Sequence, residues 1–418
     1  MRLSFWHWGF FAIWTWAIFI GAEELVTQSR PQGMVHPSSL TGAKVVRIAI
    51  LPFCGSNQNC DTSRPGAIKE AFFNHPRGVK AFIENASGGR VKIEGTVTGW
   101  INVASPLATA KDVVKRRSEL IELAKAELDL GAFDVFYIFA NTPTAGTQMG
   151  LKSGTQIHVG SGTKDVSVAL MINSLTATQV TERQPASVVL PSNSWAHELL
   201  HILGIVGHAN GMKCQNLTDI KSCQLRAYGD SFSTMGEAAF FLSPNWSMKR
   251  DLKWAEPSDI LTVTKSGEYT IDQKNKKFPK ALEIVLPKAI ELKPKVVFDR
   301  LWVEQKVPEQ QDDILNRLNG SDFLRRFSQK TSFPTDGAFL YFGYQNRRTN
   351  TTVLIDTKLN SSGVLKSGIK WPGNPGENAD ALLSDFSPFA VFNSGLTISL
   401  VKKTSTQLTI RVHQALPR

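Results

Sequence analysis

Residues 197–208 read HELLHILGIVGH, and the fold and chemistry of the chain are read outward from this stretch. On an α-helix, His197 and His201 stand four positions apart, so both imidazoles project from one face and can hold one metal ion. Glu198 beside them is the only carboxylate in the stretch. Gly204 can take backbone angles closed to other residues and so end the helix, and the turn it makes can bring His208 to the first two histidines. Two imidazoles on a rigid helix and a third from the following turn form a neutral three-nitrogen site, which leaves a zinc ion its 2+ charge and a fourth position for water. Zinc brings the pKa of that water toward ~7, and Glu198 would take its proton as general base and pass it to the leaving amine.

The five-residue core of the motif recurs by chance, so its surroundings decide its weight. Ser192, Asn193 and Ser194 precede Trp195 and predict a helix start there. Upstream, VVRIAILPF (45–53) reads as a buried first strand, followed by short helical patterns at 67–74 and 78–85 broken by Pro76. Residues 91–97 alternate as a half-buried strand. Apolar residues at helical spacing over 109–130 predict one long amphipathic helix, and FDVFYIFA (133–140) is an almost wholly apolar strand. Strand, helix, strand in that order implies helices packed on a mixed or largely parallel sheet. Residues 155–159 are a short alternating strand, and YGDSFSTMG (228–236) is a loop ending in a Met-Gly turn.

From about residue 257 the pattern changes to short alternating strands between polar turns, at 260–271, 281–286, 301–307, 338–344, 352–355 and 396–412. Regular short strands of this kind indicate a β-sandwich-like unit. The expected fold is therefore an α+β catalytic domain over 45–256, with a mixed sheet and packed helices, followed by a β-rich C-terminal domain over 257–418.

The 418 residues, 42% hydrophobic and 20% charged, have the composition of a folded globular protein. A net charge of +11 suits an acidic partner, but Lys and Arg are scattered and no stacking aromatic module accompanies them, which argues against nucleic acid. The basic run at 111–117 falls within an amphipathic pattern and reads as a solvated helix face. Arg2, an apolar run over 5–20 and the Gly21-Ala22 pair read as a secretory signal peptide, 1–22, with an uncleaved anchor as the alternative. Residues 23–44 read as a flexible leader. Secretion meets an oxidising compartment, where Cys54 with Cys60 and Cys214 with Cys223 make two local disulfides the economical pairing. Sequons at Asn85, Asn216, Asn245, Asn319, Asn350 and Asn360 fit an extracellular glycoprotein with no stable membrane insertion after signal cleavage.

The zinc motif with Ala209-Asn210 after it, the YGDSFSTMG segment and LKWAEPSDILTVTKSGEYTI (252–271) together resemble the gametolysin family of metzincin metallopeptidases. The resemblance extends to VRIAILPF (46–53), FIENASGGRVKIEGTVTGW (82–100), FDVFYIFA and RLWVEQKVP (300–308), and so covers most of the mature chain. It implies a secreted zinc endopeptidase with His197, His201 and His208 as ligands, Glu198 as general base and Met235 as an apolar floor under the imidazoles. It also implies protein substrates of the extracellular matrix or cell wall, with the 155–159 strand pairing to an extended peptide. One feature departs from the family. Its pattern HExxHxxGxxH places the third histidine at position 207, which is glycine here, and His208 comes one residue later. The turn must absorb that residue; if it does not, Glu237 or Asp230 would be the acidic third ligand. Two other readings stand beside the protease: a non-catalytic extracellular binding protein on a degenerate zinc fold, and a membrane-anchored form of the enzyme.

Overall fold

FDVFYIFA lacks polar alternation because its strand is buried on both faces. The computed structural model describes residues 40–55, 64–76, 78–104, 107, 109–140, 147–172, 185–230, 232–236, 242–294, 296–306, 337–344, 352–357, 382–383 and 386–415. The expected signal peptide, most of the leader, Cys60, Glu237 and the sequons at Asn319, Asn350 and Asn360 lie outside them. The first sheet comprises β1 (Val45–Gly55), β2 (Lys92–Val97), β3 (Ile101–Val103), β4 (Val135–Ala140), β5 (Thr147–Val159) and β6 (Gly162–Ile172). Their order is β2-β1-β4-β6-β5, with β3 also paired to β1. β1 runs parallel to β2, β3 and β4, and β4 runs parallel to β6. β5 is antiparallel to β6 and ends the order.

Alternate residues of β4 enter two different cores. Val135, Tyr137 and Phe139 join Val46, Ile48 and Ile50 of β1 on one face, while Phe136, Ile138 and Ala140 join Ala49, Leu51 and Phe53 on the other. The first face is covered by α1 (Arg64–Lys69), extended to Asn74 by a wider turn, and by α2 (Val79–Ala86). The second is covered by α3 (Ala110–Lys115) and α4 (Arg117–Leu123). The single long helix expected over 109–130 is thus divided. Thr109 and Asp112 cap its start reciprocally, and the chain leaves helical geometry at Arg116. There the Arg117 guanidinium donates to the Val114 carbonyl at 2.7 Å and to Thr155 Oγ1 at 2.8 Å, so it competes for a carbonyl that a continuous helix needs.

The motif helix, α5 (Pro185–Leu203), returns to the first face. It begins upstream of the expected cap at 192–194, with Pro185 in the first position, where the missing N–H is no loss. Trp195, Ala196, Leu199, Leu200, Ile202 and Leu203 are all buried in the first core, which fixes the rotation of the helix.

The remaining elements form two further sheets. In chain order they are β7 (Asn210–Cys214), β8 (Cys223–Arg226), α6 (Trp246–Asp251), β9 (Ile260–Val263), β10 (Gly267–Asp272), β11 (Ala281–Lys293), β12 (Val296–Glu304), β13 (Ala338–Tyr344), β14 (Thr352–Ile355), β15 (Leu382–Leu383), β16 (Phe389–Ala390), β17 (Leu396–Lys403) and β18 (Gln407–Gln414). One sheet has the order β8-β7-β14-β13-β12-β11-β9, with β15 on β13, and the other β10-β18-β17-β16. They share one apolar core: Ile284, Leu301, Leu340 and Phe342 of the first meet Ile271, Ile398, Leu408 and Ile410 of the second. The 260–271 segment therefore divides between two sheets instead of forming one strand.

The sheet pairing crosses the domain boundary expected near residue 256. β7 begins two residues after His208 and pairs in parallel with β14, so residues 210–226 belong to a sheet otherwise built from the C-terminal half. The Cys214–Cys223 disulfide joins directly opposed residues of β7 and β8. The outer face of that sheet packs on the loop after β8: Phe339 and Tyr341 of β13, with Trp302 and Leu354, bury Phe232 and Leu242. The same strand sends Ala338, Leu340 and Phe342 into the opposite core, which is why AFLYFGY is apolar throughout.

Candidate metal centre

The end of α5 sets the geometry of the motif. Gly204 stands at φ +140°, Ile205 N–H donates to the Leu200 carbonyl at 3.0 Å, and Gly204 N–H is shared between the Leu200 and His201 carbonyls. This is a glycine-terminated helix end of the Schellman type. A Cβ at Gly204 would stand 2.6 Å from Thr41 Oγ1, which itself donates to the Leu203 carbonyl at 2.9 Å. The extra residue before the third histidine is taken up in the turn that follows, and His208 does return to the helix.

His197, His201 and His208 each present one ring nitrogen within 4.8 Å of the others, and this group could hold a metal ion. Nε2 of His201 and Nε2 of His208 are 3.0 Å apart. The His197 and His208 rings are stacked with centroids 5.2 Å apart, and His201 stands edge-on to both at 4.8 Å. His197 Nδ1 lies 2.8 Å from the Thr234 carbonyl and His201 Nδ1 lies 2.9 Å from the Ile205 carbonyl. A carbonyl oxygen only accepts, so each Nδ1 carries the hydrogen and each Nε2 keeps its lone pair for a metal. Burial pushes His197 below the ordinary histidine range, against the opposing pull of the Thr234 carbonyl. Burial first, and the charge of His197 second, lower His208 to about 3. Both shifts favour the neutral, ligating form of His197 and His208, and three imidazole nitrogens are a donor set for a divalent transition metal.

The YGDSFSTMG loop supports this group. Thr234 orients His197, and the Met235 carbonyl accepts from Ala209 N–H at 2.8 Å, directly after His208. Met235 itself is fully buried in the core that contains Ala196, Leu199, Leu200 and Ile205. A Cβ at Gly236 would stand 1.8 Å from the Asp230 carbonyl oxygen, so the loop closes on itself only with glycine there. Tyr228 lies with its ring centroid 3.9 Å from that of His208. Neither Tyr228 nor Thr234 is marked out by the motif; the signal in the sequence was the compact loop itself.

Glu198 is 7% exposed, and its charge reaches Tyr137, whose fully buried hydroxyl donates to the Trp195 carbonyl at 2.8 Å. Asp230, the acidic alternative to His208, is not in the histidine group. It is fully buried, with Oδ1 accepting from Phe232 N–H at 2.8 Å and Lys306 and Glu304 as its electrostatic neighbours. The sequon at Asn245 is closed in the folded protein: its side chain caps α6 through Met248 N–H and donates Nδ2 to Thr352 Oγ1 at 2.6 Å. Asn85 and Asn216 are exposed. Among the described residues no helix is long and apolar enough to cross a membrane. No protein-family model matches the chain, and no curated protein matches it.

Proposed function

We propose that the protein is a secreted zinc endopeptidase acting on proteins of the extracellular matrix or cell wall. The observation that carries the reading is the convergence of three imidazoles, two of them oriented by backbone carbonyls, with Glu198 on the helix that carries His197 and His201. A bound zinc would supply Lewis acidity to the scissile carbonyl and to an attacking water. Glu198 accepts the proton of that water and delivers it to the leaving amine; its burial keeps bulk water from competing for the exchange. Tyr137, fully buried, supports the helix through its hydrogen bond to the Trp195 carbonyl. β5, at the end of the first sheet and antiparallel to β6, is the strand to which an extended peptide would pair. The resemblance to gametolysins is the source of the roles given to the three histidines, Glu198 and the 155–159 strand, and of the substrate class.

Metal analysis and proteolysis of a general protein substrate, measured on the wild type, Glu198→Ala and His208→Ala, test the reading. Glu198→Ala should keep its zinc and lose turnover by roughly 10²–10⁴-fold. His208→Ala should lose zinc and activity together, and a chelator should stop the wild type. A wild type that binds metal and cleaves nothing would favour the non-catalytic reading.

A further inference from the structure

Two short lysine-bearing stretches, 274–280 and 402–403, are brought together at one end of the third sheet. The turn at 273–280, between β10 and β11, exposes Lys274, Lys276 and Lys277. Its interior is organised around a fourth lysine. Lys280 is buried and donates its ammonium to the carbonyls of Asp272 at 2.6 Å and Asn275 at 2.9 Å. Asp272 Oδ1 accepts from the N–H groups of Lys274 and Asn275, each at 2.9 Å, and Oδ2 accepts from Gln407 Nε2 at 3.3 Å. Asn275 Oδ1 accepts from Lys277 N–H at 3.0 Å. The carboxylate of this turn is thus directed inward, and the exposed ammonium groups stand on a frame already ordered before any partner arrives.

A second basic turn lies beside it. Gln273 N–H donates to the Thr406 carbonyl at 2.9 Å, which ties the 273–280 turn to the β17–β18 turn. The latter follows Lys402 and Lys403, and Lys402 is exposed. Lys402 and Thr270 both pair with Thr409, one from each side, so they are separated by two strand spacings, about 10 Å. Burial holds the Lys280 ammonium below the ordinary lysine range, and Lys276 adds to that lowering while Asp259 and Asp272 oppose it. Trp246 borders the turn, donating Nε1 to Gln273 Oε1 at 3.3 Å, with Lys249 over its ring at 4.7 Å.

We propose that these two turns form a binding surface for an anionic polysaccharide, whose sulfate or carboxylate groups engage Lys274, Lys276, Lys277 and Lys402. Several exposed lysines carried on two hydrogen-bonded turns suit charges repeated along an extended polymer. Duplex nucleic acid is read by a helix or ribbon entering a groove, and single strands by aromatic platforms; the patch offers neither, since the Trp246 ring already carries Lys249. An anionic bilayer favours apolar side chains that insert, and Phe278 in this turn is not exposed. The surface is independent of the metal centre and would hold the protein on an acidic matrix whether or not it cleaves protein there.

The test measures binding of the full chain to dextran sulfate across a salt series. The variant is the triple Lys274→Gln, Lys276→Gln, Lys277→Gln. A control triple of equal charge change, Lys111→Gln, Lys115→Gln, Lys125→Gln, lies on α3 and just beyond α4. Removing three phosphate-like contacts should weaken binding about tenfold or more and reduce the log–log salt slope by about 2. The control should change it less than about twofold, and Glu198→Ala should bind as the wild type does. Equal losses in both triples would reduce the effect to net charge and overturn the proposal. So would tighter binding of the wild type to duplex DNA or to phosphatidylserine vesicles than to dextran sulfate. If the first triple melts below the wild type, the pair Lys276→Gln, Lys402→Gln repeats the measurement with the Asp272–Lys280 frame intact.

Discussion

The ring of Tyr228 rests on that of His208, with centroids 3.9 Å apart and 34° between their planes, while the Tyr228 backbone is held at φ 57°. A tyrosine in the left-handed region is disfavoured by roughly 1–2 kcal/mol, so the surrounding contacts must hold it there. One of them is Tyr228 N–H donating to Asn210 Oδ1 at 3.2 Å, two residues beyond His208. The strained tyrosine and the displaced histidine therefore constrain each other. A ring–ring contact of this kind is worth about 0.5–1.5 kcal/mol, which converts to roughly a two- to tenfold change in an equilibrium. Tyr228→Leu should weaken zinc binding by that factor in a competition titration with a chromophoric chelator, and Tyr228→Phe should restore most of it. Equal affinity for Leu and Phe variants would show that the ring does not position His208.

The pairing of β7 with β14 makes the C-terminal half part of the support of the histidine group. Val353, Leu354 and Ile355 pair with Asn210, Gly211 and Met212, immediately after the third histidine, and Phe339 and Tyr341 bury Phe232 of the supporting loop. A chain ending at residue 256 leaves β7 unpaired on that side and exposes the buried face of the loop. It should fail to bind zinc stoichiometrically and should show no cooperative thermal transition. A truncated chain that binds zinc as tightly as the whole would mean that the N-terminal half supports His208 by itself.

Strands β1 and β4 were legible in the sequence because they are buried on both faces and read as unbroken apolar runs, whereas β6, which pairs with both β4 and β5, is not among the strands expected from the sequence. The helical pair of histidines was legible because its spacing is local. The division at Arg116 was not, since the apolar spacing continues through it and the break depends on the reach of Arg117 to Thr155 on another element. The membership of 210–226 in the C-terminal sheet was likewise hidden, because parallel pairing with residues beyond 350 leaves no mark in either segment. The orienting groups of the site, the carbonyls of Thr234 and Ile205, are backbone atoms and carry no residue signature.

Gly204 gives the clearest single-residue test of the turn that delivers His208. Alanine there would have to occupy φ +140° and would bring its Cβ to 2.6 Å from Thr41 Oγ1. Backbone strain of this type amounts to about 1–3 kcal/mol before the steric contact is counted. Gly204→Ala should therefore lower the urea midpoint and loosen zinc binding together. The double variant Gly204→Ala, Thr41→Ala should recover only the steric part. A Gly204→Ala protein as stable as the wild type would show that the helix end can close without a positive φ.

Asp230 makes stability depend on pH from within the junction between the two halves. Burial raises its carboxyl from the usual 3.8 to about 6, with Glu304 adding to the rise and Lys306 and the Phe232 N–H opposing it. Because the folded value lies above the unfolded one, the folded state holds the proton more tightly. The stabilisation from that proton is complete below about pH 4 and is lost as pH rises through about 6. Above that point the buried carboxylate is ionised, and the two-unit shift corresponds to a penalty on the order of 3 kcal/mol. Asp230→Asn keeps an oxygen to accept from Phe232 N–H and removes the ionisation. Its melting temperature relative to the wild type should therefore rise between pH 5 and pH 7.5. Measurement by calorimetry on both proteins across that range checks the sign, and parallel pH profiles would show that another group at the junction carries the proton.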